Sequence, residues 1–549
     1  MNKGSGFGRS LITGVIMDII LYNGKVHSMA GFDAEAVAIE GGRITAVGSS
    51  DEVLAMKTEG TRLVDLEGRC VLPGFTDTHM HIVITGLFAR QIDLTPARSL
   101  DDIIRMGREY VEKTELHEGD WIVGYGFDHS KFDVPVLPDR KTADAISTEY
   151  PVILDRICGH VGAVNSKAIE IAGYTEESEI HGGRFGKYED GSLNGILEET
   201  ALEDVKKHMT RLGKSKVKTI LKETGALFAS AGLTAVHSDD VGPEGTTWEN
   251  LKAATEELEA DNAAVIRIFE EWEAPNPKAL ESSVLKQRWR TCEGMDFLKV
   301  CNVKILSDGS LGACSAYMRE PYCGSDNRGI AVYTQDEIDD IVSACHRNNL
   351  QVACHAIGDG GCEMFVNAVE KAQKECPKDL RHRVVHCECG DDALYARMGR
   401  LKMGADAQPA FVPSDAKYLD ERWGKRAAKS CAWKSLLENG VHVGGGSDCP
   451  VESFSPIYGI HCAVNRPYTH DCQGTFYPEE CLSVKQAVEM YTVTPAWLSK
   501  SEKDLGTVEK GKMADLVVLD RDIFTVPKDE IKEIKVCMTI VDGRVSYEA

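Results

Sequence analysis

The chain has 549 residues, 43% of them hydrophobic, so it can bury a sizeable core; the length suits one large α/β barrel with a smaller companion. Its net charge of -24 argues against nucleic acid or an anionic membrane as a partner. The 18 cysteines are dispersed without a C-x-x-C pair, and no apolar run approaches the ~20 residues that span a bilayer, which reads as a cytoplasmic chain with reduced thiols.

At the N-terminus, Lys3 and Arg9 precede an apolar patch, but Asp18 interrupts it and no small-residue cleavage site follows. This is not the pattern of a signal peptide. Met17 opens a strand-turn-strand pattern, so residues 1–16 are expected to be a disordered extension or a mis-assigned start. From there to residue 72 short strands alternate with turns, and Asn23-Gly24 and Gly41-Gly42 are hairpin signals. The C-terminal end reads the same way, with ADLVVLD at 514–520 and Asp542-Gly543 as a further hairpin turn. Residues 17–72 and 505–549 are therefore expected to build one small β-domain from both ends of the chain.

Between them, from 73 to 504, strands alternate with helical patterns, the signature of a parallel sheet. Eight candidate strands fall at 71–79, 233–238, 264–270, 297–308, 351–356, 382–387, 403–409 and 442–448. Eight such units predict a (β/α)8 TIM barrel. The stretch from about 88 to 230 exceeds that count and is expected to be an insertion between the first two barrel strands, over the barrel mouth. In it, Tyr125, Phe127, Asp128 and His129 are expected to form a polar-aromatic loop, and His160 and Asn165 lie in CGHVGAVN.

The first barrel strand ends in PGFTDTHMH. His79 and His81 are two residues apart, so in a strand both imidazoles face the same side and can meet one metal. His355 ends QVACH, His386 ends HRVVH and Asp448 ends HVGGGSD. Each is a metal-capable residue at the C-terminal end of a different strand, where barrel active sites are built. Cys354, Cys387 and Cys449 are each one residue from these positions and should point away as small core residues. Cys314 also lies near a ligand position.

In Asn302-Val303-Lys304-Ile305-Leu306-Ser307-Asp308 a lysine sits inside a strand. Alternation puts Asn302, Lys304, Leu306 and Asp308 on the barrel-interior face, and Cys301, Val303 and Ile305 on the other. Burial is expected to lower the Lys304 pKa and expose a neutral, nucleophilic amine. That amine could form a Schiff base, or a carbamate able to bridge two metals.

This set resembles the amidohydrolase superfamily over residues 17 to 549. The motif VLPGFTDTHMH alone indicates the superfamily. NVKILSDGSLGACSA, HRVVHC, GSDCPV and the closing GTVEKGKMADLVVLDRDIFTV resemble the amidohydrolase family 3 branch, which includes N-substituted formamide deformylase-like enzymes. The resemblance implies a metal-bearing barrel with a β-sandwich made from both ends. It implies that His79 and His81 hold the more buried ion, that carbamylated Lys304 bridges, and that His355 and His386 hold the second. Asp448 would touch the metal and act as the base. Imidazole and carboxylate ligands suit zinc, as one or two divalent ions.

The implied reaction is metal-assisted hydrolysis of a C–N bond (amide, N-acyl, N-formyl or cyclic amide) in a small molecule, with a homodimer considered as the assembly. His160, Asp308 and Trp433 are candidate substrate contacts, with packing as the other reading of each. The residues also leave open a deaminase of a cyclic imine or amidine, a single-metal site with unmodified Lys304, a Schiff-base enzyme, and a catalytically inactive scaffold.

Overall fold

The computed structural model describes residues 19–549 apart from 115, 117–118, 157–159, 181, 210–211 and 243–244. The expected extension at 1–16 and the start at Met17 lie outside the described residues. The chain divides into two compact units, one of residues 1–84 and 217–549 and one of residues 85–216.

The larger unit contains eight parallel strands in sequence order: Phe75–Met80, Leu233–Ser238, Arg267–Glu273, Leu298–Leu306, Val352–Ala356, Arg383–His386, Gly404–Ala407 and His442–Gly445. The last comes back beside the first, so the sheet is a nearly closed (β/α)8 barrel. Every candidate barrel strand read from the sequence is present. The expected first strand is broken in two at Gly74. Cys70–Pro73 pairs with Leu516–Leu519 in a separate sheet, and only Phe75–Met80 enters the barrel. Gly74 packs where a Cβ would lie 2.2 Å from the Thr234 side chain, so the break needs a residue without one.

Two peripheral sheets make up the rest of this unit. One contains Ile19–Tyr22, Ala36–Glu40, Arg43–Gly48 and Arg62–Asp65; the other orders Arg544–Glu548, Val536–Val541, Leu516–Leu519, Cys70–Pro73, Lys25–His27 and Asp33–Ala34. They share one apolar core, in which Ile19, Leu21, Val37 and Ile39 of the first meet Val26, Val71, Leu516 and Ile540 of the second. This is a β-sandwich contributed by both ends of the chain. Gly41-Gly42 and Asp542-Gly543 do close antiparallel hairpins. Asn23-Gly24 does not. The strands on either side of it pair in different sheets, so this turn passes the chain from one layer to the other. Arg267, at the start of the third barrel strand, is nearly fully buried and forks onto Asp515, with Nε 2.7 Å from Oδ2 and Nη2 3.1 Å from Oδ1. That bidentate pair ties barrel to sandwich.

The unit of residues 85–216 falls between the first two barrel strands in sequence. It carries its own mixed sheet, ordered Gly183–Lys187, Leu193–Glu199, Val161–Val164, Val152–Arg156, Ile122–Phe127 and Ile92–Asp93. Tyr125 and Phe127 lie in one of its strands rather than in the expected loop. Phe127 is fully buried in an apolar cluster, because the apolar run from Ile122 continues through it. No helix among the described residues is long and apolar enough to cross a membrane.

Candidate metal centre

Local backbone chemistry brings the ends of the first and eighth barrel strands together. Asp77 Oδ1 accepts the His79 N–H at 3.1 Å and the Ser447 N–H at 3.2 Å. The Asp448 N–H donates to His79 O at 2.8 Å, and the His81 N–H to Cys449 O at 2.9 Å. Gly446 runs so close that a Cβ there would lie 2.9 Å from His79 N. His386 and Asp448 adopt φ of 73° and 56°. Such left-handed backbone is costly away from glycine and concentrates at functional sites, where it re-aims a side chain that simple alternation would place elsewhere.

The result is a compact donor set. One donor atom from each of His79, His81 and Asp448 lies within 4.8 Å of the other two. Asp448 Oδ1 is 3.2 Å from His81 Nε2 and 3.5 Å from His79 Nε2. Lys304 Nζ is 3.1 Å from His79 Nε2. The His386 ring stands 5.6 Å from that of His79, and the His355 ring 4.5 Å from that of His386. All six expected ligand residues therefore converge on one end of the barrel, with His355 and His386 outside the tight triad.

Each imidazole has one nitrogen already engaged. His79 Nδ1 lies 2.6 Å from Glu271 Oε2, and His81 Nδ1 2.8 Å from Asp239 O. His386 Nδ1 lies 2.9 Å from Gln408 Oε1, and His355 Nε2 3.2 Å from Gly309 O. In His79, His355 and His386, donating one N–H outward fixes the tautomer and leaves the other nitrogen as a lone-pair donor, the arrangement of metal-ligating histidines, whereas His81 also meets Asp448 Oδ1 through Nε2. Nitrogen and oxygen donors of this kind suit a zinc-like divalent ion.

The electrostatics follow from burial and crowding. Burial and the Lys304 ammonium hold His79 below its ordinary value, against the opposing pull of Glu271. Burial and Lys304 push His355 down to about 4, and burial with His355 pushes His386 well below its ordinary value. For His81, burial is outweighed by Asp448 and Asp239, which raise it to about 9. Asp448 is buried too, yet His81, His79 and His386 hold it well below the usual carboxylate range.

Lys304 corrects the sequence reading. It is 2% exposed, as expected of a strand lysine facing the interior. Burial does oppose its charge, but Asp239, Glu271 and Asp448 outweigh burial and raise it above the ordinary lysine value. Its ammonium pairs with Asp239 Oδ2 at 3.1 Å. Cys301 departs from simple alternation as well. The register slips by one residue there, and its Sγ accepts from Arg383 Nη2 at 3.7 Å on the same side as Asn302. Leu306, assigned to the interior face, is 38% exposed.

The remaining expected residues have structural surroundings. Asp308 accepts the N–H groups of Tyr317, Ile357 and Gly358 at 2.9, 3.1 and 2.8 Å and so orders the loop after the fifth strand. Trp433 is 1% exposed, with the Arg466 guanidinium 4.7 Å above its ring. His160 is exposed and pairs with Glu199 at 3.0 Å. Asn165 caps the helix Ser166–Ala172 through Ala168 N–H. Cys354, Cys387 and Cys449 are buried. Glu271, Asp239, Gln408 and Arg383 were missed. Glu271 and Asp239 had a weak sequence signal, each an acidic residue directly after a strand read at 264–270 or 233–238.

A family model described as "Amidohydrolase family" matches residues 62–547. The Bacillus subtilis (strain 168) protein YtcJ is 31% identical over 542 residues, which is 97% of this chain and all of that one. An N-substituted formamide deformylase of Arthrobacter pascens is 24% identical over 97% of this chain and 98% of its own. A solved structure of a metal-dependent hydrolase from Pyrococcus furiosus is 27% identical with a TM-score of 0.75, covering 92% of this chain and 100% of that one. The chain belongs to the amidohydrolase family and is a metal-dependent hydrolase acting on carbon–nitrogen bonds.

Proposed function

We propose that the barrel end hydrolyses the amide or formamide bond of a small N-acyl or N-formyl compound, using one or two zinc ions. His79, His81 and Asp448 would hold the first ion, and His355, His386 and Lys304 would complete a second position. A bound divalent cation supplies a Lewis acid that polarises the substrate carbonyl and favours ionisation of water. The observation that carries this reading is the triad of His79, His81 and Asp448 within 4.8 Å, with both imidazoles held from behind.

Asp448 is the proton carrier. Kept ionised by the surrounding histidines, its carboxylate accepts the proton of the attacking water as the new C–O bond forms. It then returns that proton to the nitrogen as the C–N bond breaks, which yields a carboxylate or formate and an amine. Lys304, if carbamylated, would add a carboxylate ligand to the ions. Asp239, Glu271 and Asp448 favour its ammonium form against burial.

The similarity to the Arthrobacter enzyme supports formamides as the first substrates to try. Residues 85–216 contain a cavity of about 520 Å³ of their own, lined by Phe88, Tyr125, Asp155, Arg156 and Lys206. The dispersed cysteines, which form no disulfide among the described residues, are consistent with a cytosolic location.

The test is a screen of N-formyl, N-acyl and cyclic amide substrates with metal replacement. Release of an amine and an acid that depends on the added metal supports the reading. Metal-dependent release of ammonia from cyclic imines, with no amide cleaved, would replace it with a deaminase.

A further inference from the structure

We propose that His27, Cys70 and Asp522 form a second metal site in the β-sandwich, outside the barrel, for a single zinc-like ion. One donor atom from each residue lies within 4.8 Å of the other two. The sheet makes this cluster. Cys70–Pro73 lies between Lys25–His27 and Leu516–Leu519, and Asp522 follows three residues after the latter strand ends. Thiolate, imidazole and carboxylate together are a zinc ligand set.

His27 supplies the independent observation. Its Nδ1 lies 3.1 Å from Asp33 Oδ1, and its Nε2 lies 3.1 Å from Asp522 Oδ1. A neutral imidazole has one N–H, so it cannot satisfy both carboxylates. A proton or a metal ion must stand at the second nitrogen. Asp33 sits directly opposite His27 in the antiparallel pair and is largely exposed, whereas Asp522 and Cys70 are buried. The Asp33–His27 pair thus has the form of a carboxylate that orients a ligating histidine, with Nε2 turned to the buried donors.

Lys25 Nζ reaches the other Asp522 oxygen, Oδ2, at 3.4 Å and leaves Oδ1 facing the imidazole. The Phe524 ring stands edge-on, 4.6 Å from that of His27, and walls one side. A cavity of about 330 Å³, lined by His27, Asp33, Phe32, Phe524 and Lys485, opens beside the imidazole. Binding releases the Cys70 thiol proton and any proton on His27 Nε2. The ion would join the N-terminal strands to the segment that follows Leu516–Leu519, which is a structural role.

Cobalt(II) tests this without relying on hydrolysis. The ligands proposed in the barrel carry no thiol, so a sulfur-to-cobalt charge-transfer band reports only on a cysteine site. The full-length chain exchanged into cobalt(II) should show that band, saturating at one ion per chain. Cys70→Ala should abolish it, and His27→Gln should weaken cobalt binding by about tenfold or more. Both variants should keep the hydrolysis that the barrel supports, which also shows that they fold. No band at saturating cobalt, or a band unchanged in either variant, would overturn the proposal. That outcome leaves the barrel reading intact.

Discussion

Glu271 Oε2 lies 2.6 Å from His79 Nδ1, and its other oxygen, Oε1, accepts from Asn302 at 2.9 Å and from the Arg383 guanidinium. One fully buried carboxylate thus orients the imidazole proposed as a metal ligand while itself being fixed by a buried cation. Glu271→Gln should keep the fold and lower metal affinity by about 10–100-fold, measured by titration with a chelator of known strength. Glu271→Ala should also destabilise the protein by ~3–5 kcal/mol, because it leaves the Arg383 charge buried without this partner. Unchanged affinity in Glu271→Gln would show that the contact does not hold His79 as a ligand.

Lys304→Ala should lower hydrolysis by about 10²-fold or more, and short carboxylic acids should partly restore it if a carbamate bridges. Native mass measurement of the loaded protein should then show one added carbon dioxide that is lost in acid. Full activity in Lys304→Ala would remove the lysine from the centre altogether.

A Cβ at position 446 would meet His79 N at 2.9 Å, His79 O at 3.0 Å and Asp77 Oδ1 at 3.1 Å. Backbone cannot step aside as a flexible side chain can. Gly446→Ala should therefore cost about 1–3 kcal/mol of stability. It should also displace His79 relative to Asp448, so metal binding should fall even where the chain remains folded. Chemical denaturation and metal content, measured on the same preparation, separate the two effects.

Most of the barrel was legible because its strands are short apolar runs bounded by turn residues, and the candidate ligands His79, His355, His386 and Asp448 because they fall at the ends of such runs. Backbone detail was less legible. The split at Gly74 depends on Thr234, 160 positions away, and the slip at Cys301 on its pairing with the third strand. The charge state of Lys304 was misread because desolvation attaches to the residue itself, whereas Asp239, Glu271 and Asp448 reach it only through the closed sheet. Asn23-Gly24 has the composition of a hairpin turn, and only the pairing of its flanking strands shows that it crosses between sheets.

Away from the metal centre, His346 Nδ1 lies 2.9 Å from His382 Nε2, and His382 Nδ1 accepts the Val352 N–H at 3.0 Å. Burial, with His346 beside it, pushes His382 down to about 3. The folded state thus keeps this ring neutral where the unfolded chain, with an ordinary histidine value near 6.5, takes up a proton. The stability involved is fully present above pH 6.5 and is lost as the pH falls from there toward 3, at ~1.4 kcal/mol per pH unit. His382→Gln should flatten the stability profile by about that slope, as read from urea midpoints between pH 7.5 and 5. An unchanged slope would refute the assignment.

The central claim is that the histidines and Asp448 at the barrel end hold the ion that makes hydrolysis possible. The most direct measurement is metal content and amide hydrolysis on one sample, before chelation, after chelation and after zinc is restored. The account predicts one or two ions bound at the barrel end, activity that disappears with them and returns with zinc, and neither in His79→Ala. Full hydrolytic activity in the metal-free protein would contradict it.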